Sequence, residues 1–285
     1  MGLRLANGDK VNARIKGKRI KPVCGDTVTA IPIENESDWL ITKIGKRRNE
    51  LTRPNMRGQI EVLAANVDTL VVVAAVSPPP DWYIVDRYLC ATELMGVNSI
   101  VVFNKIDLLV GHEIEIPELQ DYLDIGLPVL QCSADTGSGM SELRSALSGQ
   151  CAIVVGQSGV GKSSLINQLV KNSQQRTADI SSKTGEGRHT TVNSVMIPLQ
   201  GSGSVIDSPG VRDYAPALSA TSDAALGFRE IAAAAQSCRF SNCRHLREPG
   251  CAVKDGVEQG TISYRRYESF KRIVNLTEKL SEGRY

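Results

Sequence analysis

What this chain lacks narrows its setting first. No run approaches the roughly 20 consecutive apolar residues that a helix needs to span a bilayer, which sets aside a helical membrane protein. The opening Met1-Gly2-Leu3-Arg4-Leu5-Ala6-Asn7-Gly8-Asp9-Lys10 has no long apolar stretch of the signal-peptide kind. Internal repeats and long low-complexity tracts are missing, and so is a basic amphipathic helix suited to a membrane surface. Histidine is scarce, with three among 285 residues. These absences leave a soluble cytoplasmic protein without a membrane partner as the expectation. The apolar content of 41% suffices for a packed core, and the length allows two or three small domains.

The formal net charge of +2 conceals an uneven distribution. Residues 1–62 carry 13 Lys/Arg against 7 Asp/Glu, residues 63–219 carry 9 against 16, and residues 220–285 carry 11 against 8. Basic ends around an acidic centre fit nucleic-acid contacts made by the ends, or ordinary solvated surface. Of the seven cysteines, Cys24, Cys90, Cys132 and Cys151 are scattered, whereas Cys238, Cys243 and Cys251 cluster. In a reducing compartment such clustering points to metal binding rather than disulfides.

Three domains are expected. In residues 1–62, short β-like pieces (Asn12–Ile15, Asp26–Ile33, Trp39–Ile44) suggest a small β-barrel of the oligonucleotide-binding type. The loop Gly45-Lys46-Arg47-Arg48-Asn49, with Arg53 and Arg57, would form its basic rim. Residues 63–217 alternate strands with helices: Thr69–Val76, Ser99–Phe103, Val129–Cys132, Cys151–Val155, Val192–Leu199 and Ser204–Ile206 read as strands. The sheet is doubly wound α/β, and its ligands belong at the C-terminal ends of the strands. Asp81 can cap the first helix of this region and Gly96 can stop it. Residues 218–285 read as a helical domain, with helices over Ser222–Gln236 and Ser263–Glu282. The last helix carries Arg265, Arg266, Lys271 and Arg272, which fit a solvated face as well as RNA contact.

The motifs of a guanine-nucleotide site occur in a shifted order. Asn104-Lys105-Ile106-Asp107 and Ser133-Ala134 come first. Gly156-Gln157-Ser158-Gly159-Val160-Gly161-Lys162-Ser163 and Asp207-Ser208-Pro209-Gly210 follow. The phosphate-loop pattern G-x-x-x-x-G-K-[ST] lies between a strand and a helix that starts near Ser164, as its function requires. Backbone N–H groups there converge on phosphate oxygens and the helix N-terminus adds partial positive charge. Lys162 would reach the β and γ phosphates as a catalytic cation, and the Ser163 hydroxyl would ligate Mg²⁺. Asp207 would hold Mg²⁺ through water, and the Gly210 amide would sense the γ-phosphate. The Asp107 carboxylate can accept from guanine N1–H and its 2-amino group, which adenine cannot offer. The Ser133-Ala134 backbone would meet the guanine oxygen. Four such pieces in permuted order define a circularly permuted GTPase.

Two features bear on catalysis. The polar stretch Asn172–Thr191 suits a mobile loop, and one of Thr190 and Thr191 should complete the Mg²⁺ shell, with Thr191 favoured. Val211 follows D-x-x-G where many GTPases carry a water-orienting Gln, so intrinsic hydrolysis should be slow. His189 is the candidate for supplying a polar group, the alternative being an ordinary surface-loop histidine. In the C-terminal region Cys238-x₄-Cys243-x-His245-x₅-Cys251 groups three thiolates and an imidazole. That set fits one closed, structural Zn²⁺ site.

Together these features resemble the small-ribosomal-subunit-dependent GTPases of bacteria, the RsgA/YjeQ family, over essentially the whole chain. The strings Asp207-Ser208-Pro209-Gly210-Val211-Arg212 and Gly187-Arg188-His189-Thr190-Thr191 carry the likeness, as does the zinc motif. The resemblance implies an oligonucleotide-binding barrel, a G domain and a zinc domain. It implies GTP hydrolysis to GDP stimulated by the small subunit and its rRNA, late in 30S maturation. His189 falls at the family's catalytic histidine. The N-terminus is short for the family, so an RNA-contacting extension is expected to be missing. A monomer is expected. The competing reading is a zinc-containing RNA-binding adaptor that uses GTP only as a structural or switch cofactor.

Overall fold

The computed structural model describes all residues except 18, 55–58, 110–115, 171–193, 209–222 and 282–285, and the side chains of 280 and 281. The N-terminal strands β1 (Gly2–Arg4), β2 (Lys10–Ile15), β3 (Val28–Pro32) and β4 (Trp39–Ile44) pair in the order β1-β2-β4-β3. β2 and β4 run parallel and the other pairs antiparallel. β5 (Glu50–Pro54) and β6 (Ile60–Ala65) form a separate antiparallel ribbon.

Sequence pattern did not anticipate this ribbon, whose second strand crosses residue 62. β6 runs through residue 62, and Leu51 and Ala64 are buried in the same core as Leu70, Val72 and Tyr88 of the central domain. The N-terminal sheet is fastened to the ribbon beside Cys24, whose carbonyl accepts from the Ala65 amide at 2.9 Å. Gly25 sits at φ +93 with its missing Cβ directed at the Ala65 carbonyl, so a side chain there would collide with backbone.

The expected basic rim is largely neutralised. Arg47 grips Asp26 with two bonds of 2.7 Å and reaches Glu50. Arg48 pairs with Asp68 at 2.8 Å, and Arg53 pairs with Glu61. Lys46 remains exposed, and Arg57 lies outside the described residues. Arginine's fork suits carboxylate pairing, so these side chains tie loops to strands.

The central sheet comprises β7 (Thr69–Ala75), β8 (Asn98–Asn104), β9 (Val129–Gln131), β10 (Cys151–Gly156), β11 (Val195–Pro198) and β12 (Ser204–Asp207). Its order is β11-β12-β10-β7-β8-β9, all parallel except the edge strand β11. Every residue of β7 is buried, as a central parallel strand requires. Leu70, Val72 and Ala74 enter one core, and Val71, Val73 and Ala75 enter the other. The first core is covered by α1 (Trp82–Met95) and α2 (Pro117–Asp124), the second by α3 (Met140–Ala146) and α4 (Lys162–Val170). The α1 signals act as expected: Asp81 accepts from the Tyr83 and Ile84 amides, and Gly96 ends the helix at φ +64.

The C-terminal region departs from expectation twice. The stretch read as one helix is two, α5 (Asp223–Leu226) and α6 (Arg229–Ala235). The break falls at Gly227, where a Cβ would collide with Cys90 Sγ of α1. α7 (Ala252–Glu258) follows the last cysteine, then α8 (Tyr264–Ser281), which buries Tyr267, Phe270, Ile273 and Val274.

The cations of α8 are occupied within the protein. Arg266 is 2% exposed and bonds Asp86 at 2.8 Å and Glu230 at 2.6 Å. Arg265 bonds Asp86 and Asp121 at 2.9 Å each. Tyr122 donates to Asp86 at 2.9 Å. Arg272 lies 4.0 Å from the Tyr83 ring centroid, and Lys271 pairs with Glu268. Arg265 and Arg266 are therefore not a solvated face: they lock the C-terminal region onto α1 and α2.

Candidate nucleotide site and metal centre

The motifs converge at the carboxyl ends of β8, β9, β10 and β12, where the connections from β7 and β10 leave in opposite directions. Asn104 ends β8 and is 1% exposed. Its Nδ2 donates to the Val160 carbonyl at 2.8 Å, and its Oδ1 accepts from the Ala134 amide at 3.2 Å. One buried side chain therefore joins three motifs. Lys105, in the left-handed region at φ +64, extends its ammonium to the Ser77 and Gly159 carbonyls at 2.6 and 2.8 Å.

The candidate base-reading residues Asp107 and Ser133 are held by hydrogen bonds. Ser133 Oγ donates to Asp107 Oδ1 at 2.5 Å and accepts from the Thr136 amide at 3.1 Å. The Ile106 amide donates to the Cys132 carbonyl at 3.3 Å, so a 3-10 turn over Ile106–Leu108 stays against β9. A fixed carboxylate beside a fixed backbone segment can select a base edge offering paired donors.

The phosphate loop connects β10 to α4. Gly156, Gly159 and Gly161 have φ of +139, +82 and +91. A Cβ on Gly156 would strike the Val73 carbonyl, and one on Gly161 would strike Asn104 Nδ2. The glycines therefore serve both the left-handed backbone and the close approach to neighbouring motifs. Val160 is buried, whereas Ser158, Gly159, Ser163 and Ser164 are exposed around the mouth. Lys162 Nζ donates to the Gly156 and Gln157 carbonyls at 2.8 and 2.7 Å, which holds the ammonium over the loop. Burial pushes the Asp207 carboxyl up, and the nearby Lys162 ammonium draws it back down. Asp207 and Lys162 are thus close enough to feel each other's charge. His189, Thr190, Thr191, Gly210 and Val211 lie outside the described residues.

Four supporting contacts have no motif signal. Gln168 on α4 donates to the Ala134 carbonyl at 2.7 Å, and Gln157 Oε1 accepts from the Asp81 amide at 3.1 Å. Cys24 Sγ donates to the Ser194 carbonyl at 3.1 Å, and the Ser194 and Ser208 hydroxyls lie 2.8 Å apart. Residues far apart in sequence form each pair, so spacing could not reveal them.

Cys238, Cys243, His245 and Cys251 bring their ligand atoms within 4.8 Å of one another. His245 Nδ1 lies 3.5 Å from the sulfurs of both Cys238 and Cys251, which are 3.9 Å apart. Tetrahedral Zn²⁺ with ordinary bond lengths requires about 3.5 Å for S···N and about 3.8 Å for S···S. The donor set and its spacing fit the ion. His245, at φ +61, is steadied by the Tyr267 hydroxyl donating to its carbonyl at 2.6 Å.

The strands that lead into Asn104–Asp107 and Ser133-Ala134 precede the phosphate-loop strand in sequence, yet run parallel to it in one sheet and end on the same edge, the arrangement of a circularly permuted P-loop GTPase. The family profile described as RsgA GTPase matches residues 44–216. The chain belongs to the RsgA GTPase family and is a GTP-hydrolysing enzyme of the P-loop class. A protein of Haemophilus influenzae (strain 86-028NP) named small ribosomal subunit biogenesis GTPase RsgA is 38% identical over 281 residues, spanning 98% of this chain and 76% of that one. Its namesake in Azotobacter vinelandii is 40% identical over 242 residues, spanning 84% and 71%. The crystal structure of YjeQ from Thermotoga maritima superposes with a TM-score of 0.71 at 28% identity, covering 95% of this chain and 91% of that one. YloQ, described as a circularly permuted GTPase, shares the fold with a TM-score of 0.70 at 24% identity, over 95% and 88% of the two chains. Among the described residues, no helix is long and apolar enough to cross a membrane.

Proposed function

We propose that this enzyme hydrolyses GTP on the small ribosomal subunit, in the cytoplasm, as a late step of that subunit's maturation. The observation that carries the reading is Asn104, which ties the guanine-reading strand to the phosphate loop through Val160 and to Ser133-Ala134 through the Ala134 amide. The names of the relatives supply the partner.

In this reading Asp107 accepts from the guanine edge, while Lys105 and the Ala134 backbone frame the base. The amides of Gly156–Ser163 and the Lys162 ammonium hold the β and γ phosphates. Ser163, Thr191 and Asp207 would hold Mg²⁺, which would supply positive charge against the phosphate oxygens. Gly210 reads the γ-phosphate. His189 orients the attacking water, because Val211 has no group that can. The subunit completes this arrangement and so accelerates turnover.

Residues 1–62 act as an oligonucleotide-binding-type module, 63–217 as the G domain and 218–285 as a zinc-stabilised module, with one Zn²⁺ on Cys238, Cys243, His245 and Cys251. The chain works as a monomer.

Hydrolysis measured with and without purified small subunits, at two salt concentrations, tests the reading. Strong stimulation that fades with salt is expected for phosphate-backbone contacts. No stimulation at low salt would remove the ribosomal role. The adaptor reading is favoured by Val211 alone, and multiple-turnover hydrolysis abolished by Lys162→Ala would exclude it.

A further inference from the structure

The cysteine-histidine cluster holds up a loop whose tip is not needed for the metal. Cys238 and Cys243 bracket Arg239, Phe240, Ser241 and Asn242, all four of them exposed. Phe240 is 41% exposed, although the neighbouring aromatics Phe228, Tyr267 and Phe270 are buried. An apolar ring at the apex of a polar loop contributes little to folding where it stands. The tip is nevertheless built rigidly. The Cys243 amide donates to the Phe240 carbonyl at 3.1 Å, and the Arg239 amide donates to the Gly250 carbonyl at 3.1 Å. Gly250 makes room for the Arg239 stem, whose Cβ would lie 3.3 Å from an added methyl.

Charge around the tip is positive and unspent. The Arg239 guanidinium lies 5.5 Å from the Phe240 ring centroid. Among the described residues, neither Arg239 nor Arg247 has an acidic side-chain partner. The one carboxylate of the loop, Glu248, is turned inward to accept from the amides of Arg244, Leu246 and Arg247 at 3.0–3.1 Å. It therefore does not neutralise the rim. This differs from Arg265 and Arg266 of α8 and from Arg47, Arg48 and Arg53 near the N-terminus, each of which is paired with a carboxylate.

We propose that the Arg239–Phe240 tip is a stacking platform for an unpaired nucleotide of single-stranded RNA. A base lies on the exposed Phe240 ring beside the Arg239 plane, and Arg239 and Arg247 take the flanking phosphates. Single strands are recognised in this way because every base offers a π-face to an aromatic ring or a guanidinium plane. A double helix keeps its bases stacked and cannot supply one. The inference rests on the ribosomal reading only for where the RNA comes from.

The test uses the full-length, zinc-loaded protein with labelled eight-nucleotide oligouridine and oligoadenosine, and an RNA duplex as control. Phe240→Leu keeps an apolar side chain and removes the π-face. It should weaken single-strand binding about tenfold with zinc content unchanged, and Phe240→Trp should restore it. Arg239→Gln and Arg247→Gln should each flatten the salt dependence by about one phosphate contact, whereas Phe240→Leu should leave it unchanged. Equal binding by Phe240→Leu and the parent protein, or a duplex bound as well as a single strand, overturns the proposal. Loss of small-subunit binding in Phe240→Leu with oligonucleotide binding intact also overturns it, in favour of a protein partner. Subunit-stimulated GTP hydrolysis by the parent protein is read separately, so failure of the ribosomal role is distinguishable from failure of the platform.

Discussion

Arg266 Nη1 donates to Asp86 Oδ1 at 2.8 Å across 180 residues, with both side chains almost wholly removed from solvent. The pair joins the first helix of the G domain to the last helix of the chain. Removing one partner of a buried pair leaves an uncompensated charge, which typically costs about 3–5 kcal/mol. Arg266→Ala is expected to destabilise the protein by that amount in urea unfolding, because the buried Glu230 loses its cation and Asp86 is left with Arg265 alone. Arg239→Gln, at an exposed position, should change stability by less than about 0.5 kcal/mol in the same assay.

Asn104→Ala should act on nucleotide binding. It leaves the Val160 carbonyl and the Ala134 amide without their partner, and each unsatisfied buried group costs roughly 1–3 kcal/mol. GTP affinity should fall by about tenfold or more, read by titration with a fluorescent GTP analogue. Asp107→Ala should instead erode selectivity, narrowing the preference for GTP over ATP.

Much of this site was legible because its determinants are local. Asp81 and Gly96 announce both ends of α1, and Gly156–Ser163 carries its strand-turn-helix context within the motif. The unbroken apolar run of β7 marks a strand buried on both faces. Side chains whose partners are remote were not legible. Arg265 and Arg266 have the composition of a solvated face, and only packing against Asp86, Asp121 and Glu230 reveals their role. The break at Gly227 depends on Cys90 of another helix. α7 was hidden by Gly256, a poor helix former that is needed because Ile262 and Thr261 crowd its position.

Zinc removal should disrupt the C-terminal module. Cys238→Ser, or treatment with a strong chelator, is expected to lower zinc content from one per chain and to lower the temperature of the thermal transition. Binding by the remaining donors is tied to folding of a region with a small core of its own. Elemental analysis with circular dichroism checks both, and an unchanged transition after complete zinc loss would contradict a structural role.

The Asp207 carboxyl carries a pH signature. Burial raises its pKa above the ordinary 3.8, and Lys162 counteracts the shift. A carboxyl raised in the folded state favours folding below its unfolded value, and that contribution is lost as pH rises through the folded value. Asp207→Asn should therefore stabilise the nucleotide-free protein at neutral pH while abolishing Mg²⁺-supported hydrolysis. Lys162→Ala should move the Asp207 titration further upward, followed by carbon NMR. It should also reduce kcat by about 10²–10³.

The order of strands in the sheet governs how the chain leaves the ribosome that makes it. β7 lies between β8 and β10, yet Cys151, the first residue of β10, is synthesised 76 residues after the β7 residue Ala75. At roughly 5–20 residues per second, that flank of β7 waits on the order of 4–15 s for its neighbour. Throughout the delay an edge of all-buried Val-rich backbone stands open as a template for mispairing. A nascent enzyme of this design therefore depends on prompt shielding of residues 69–75, a requirement that a G domain with its phosphate-loop strand first would not meet at the same place.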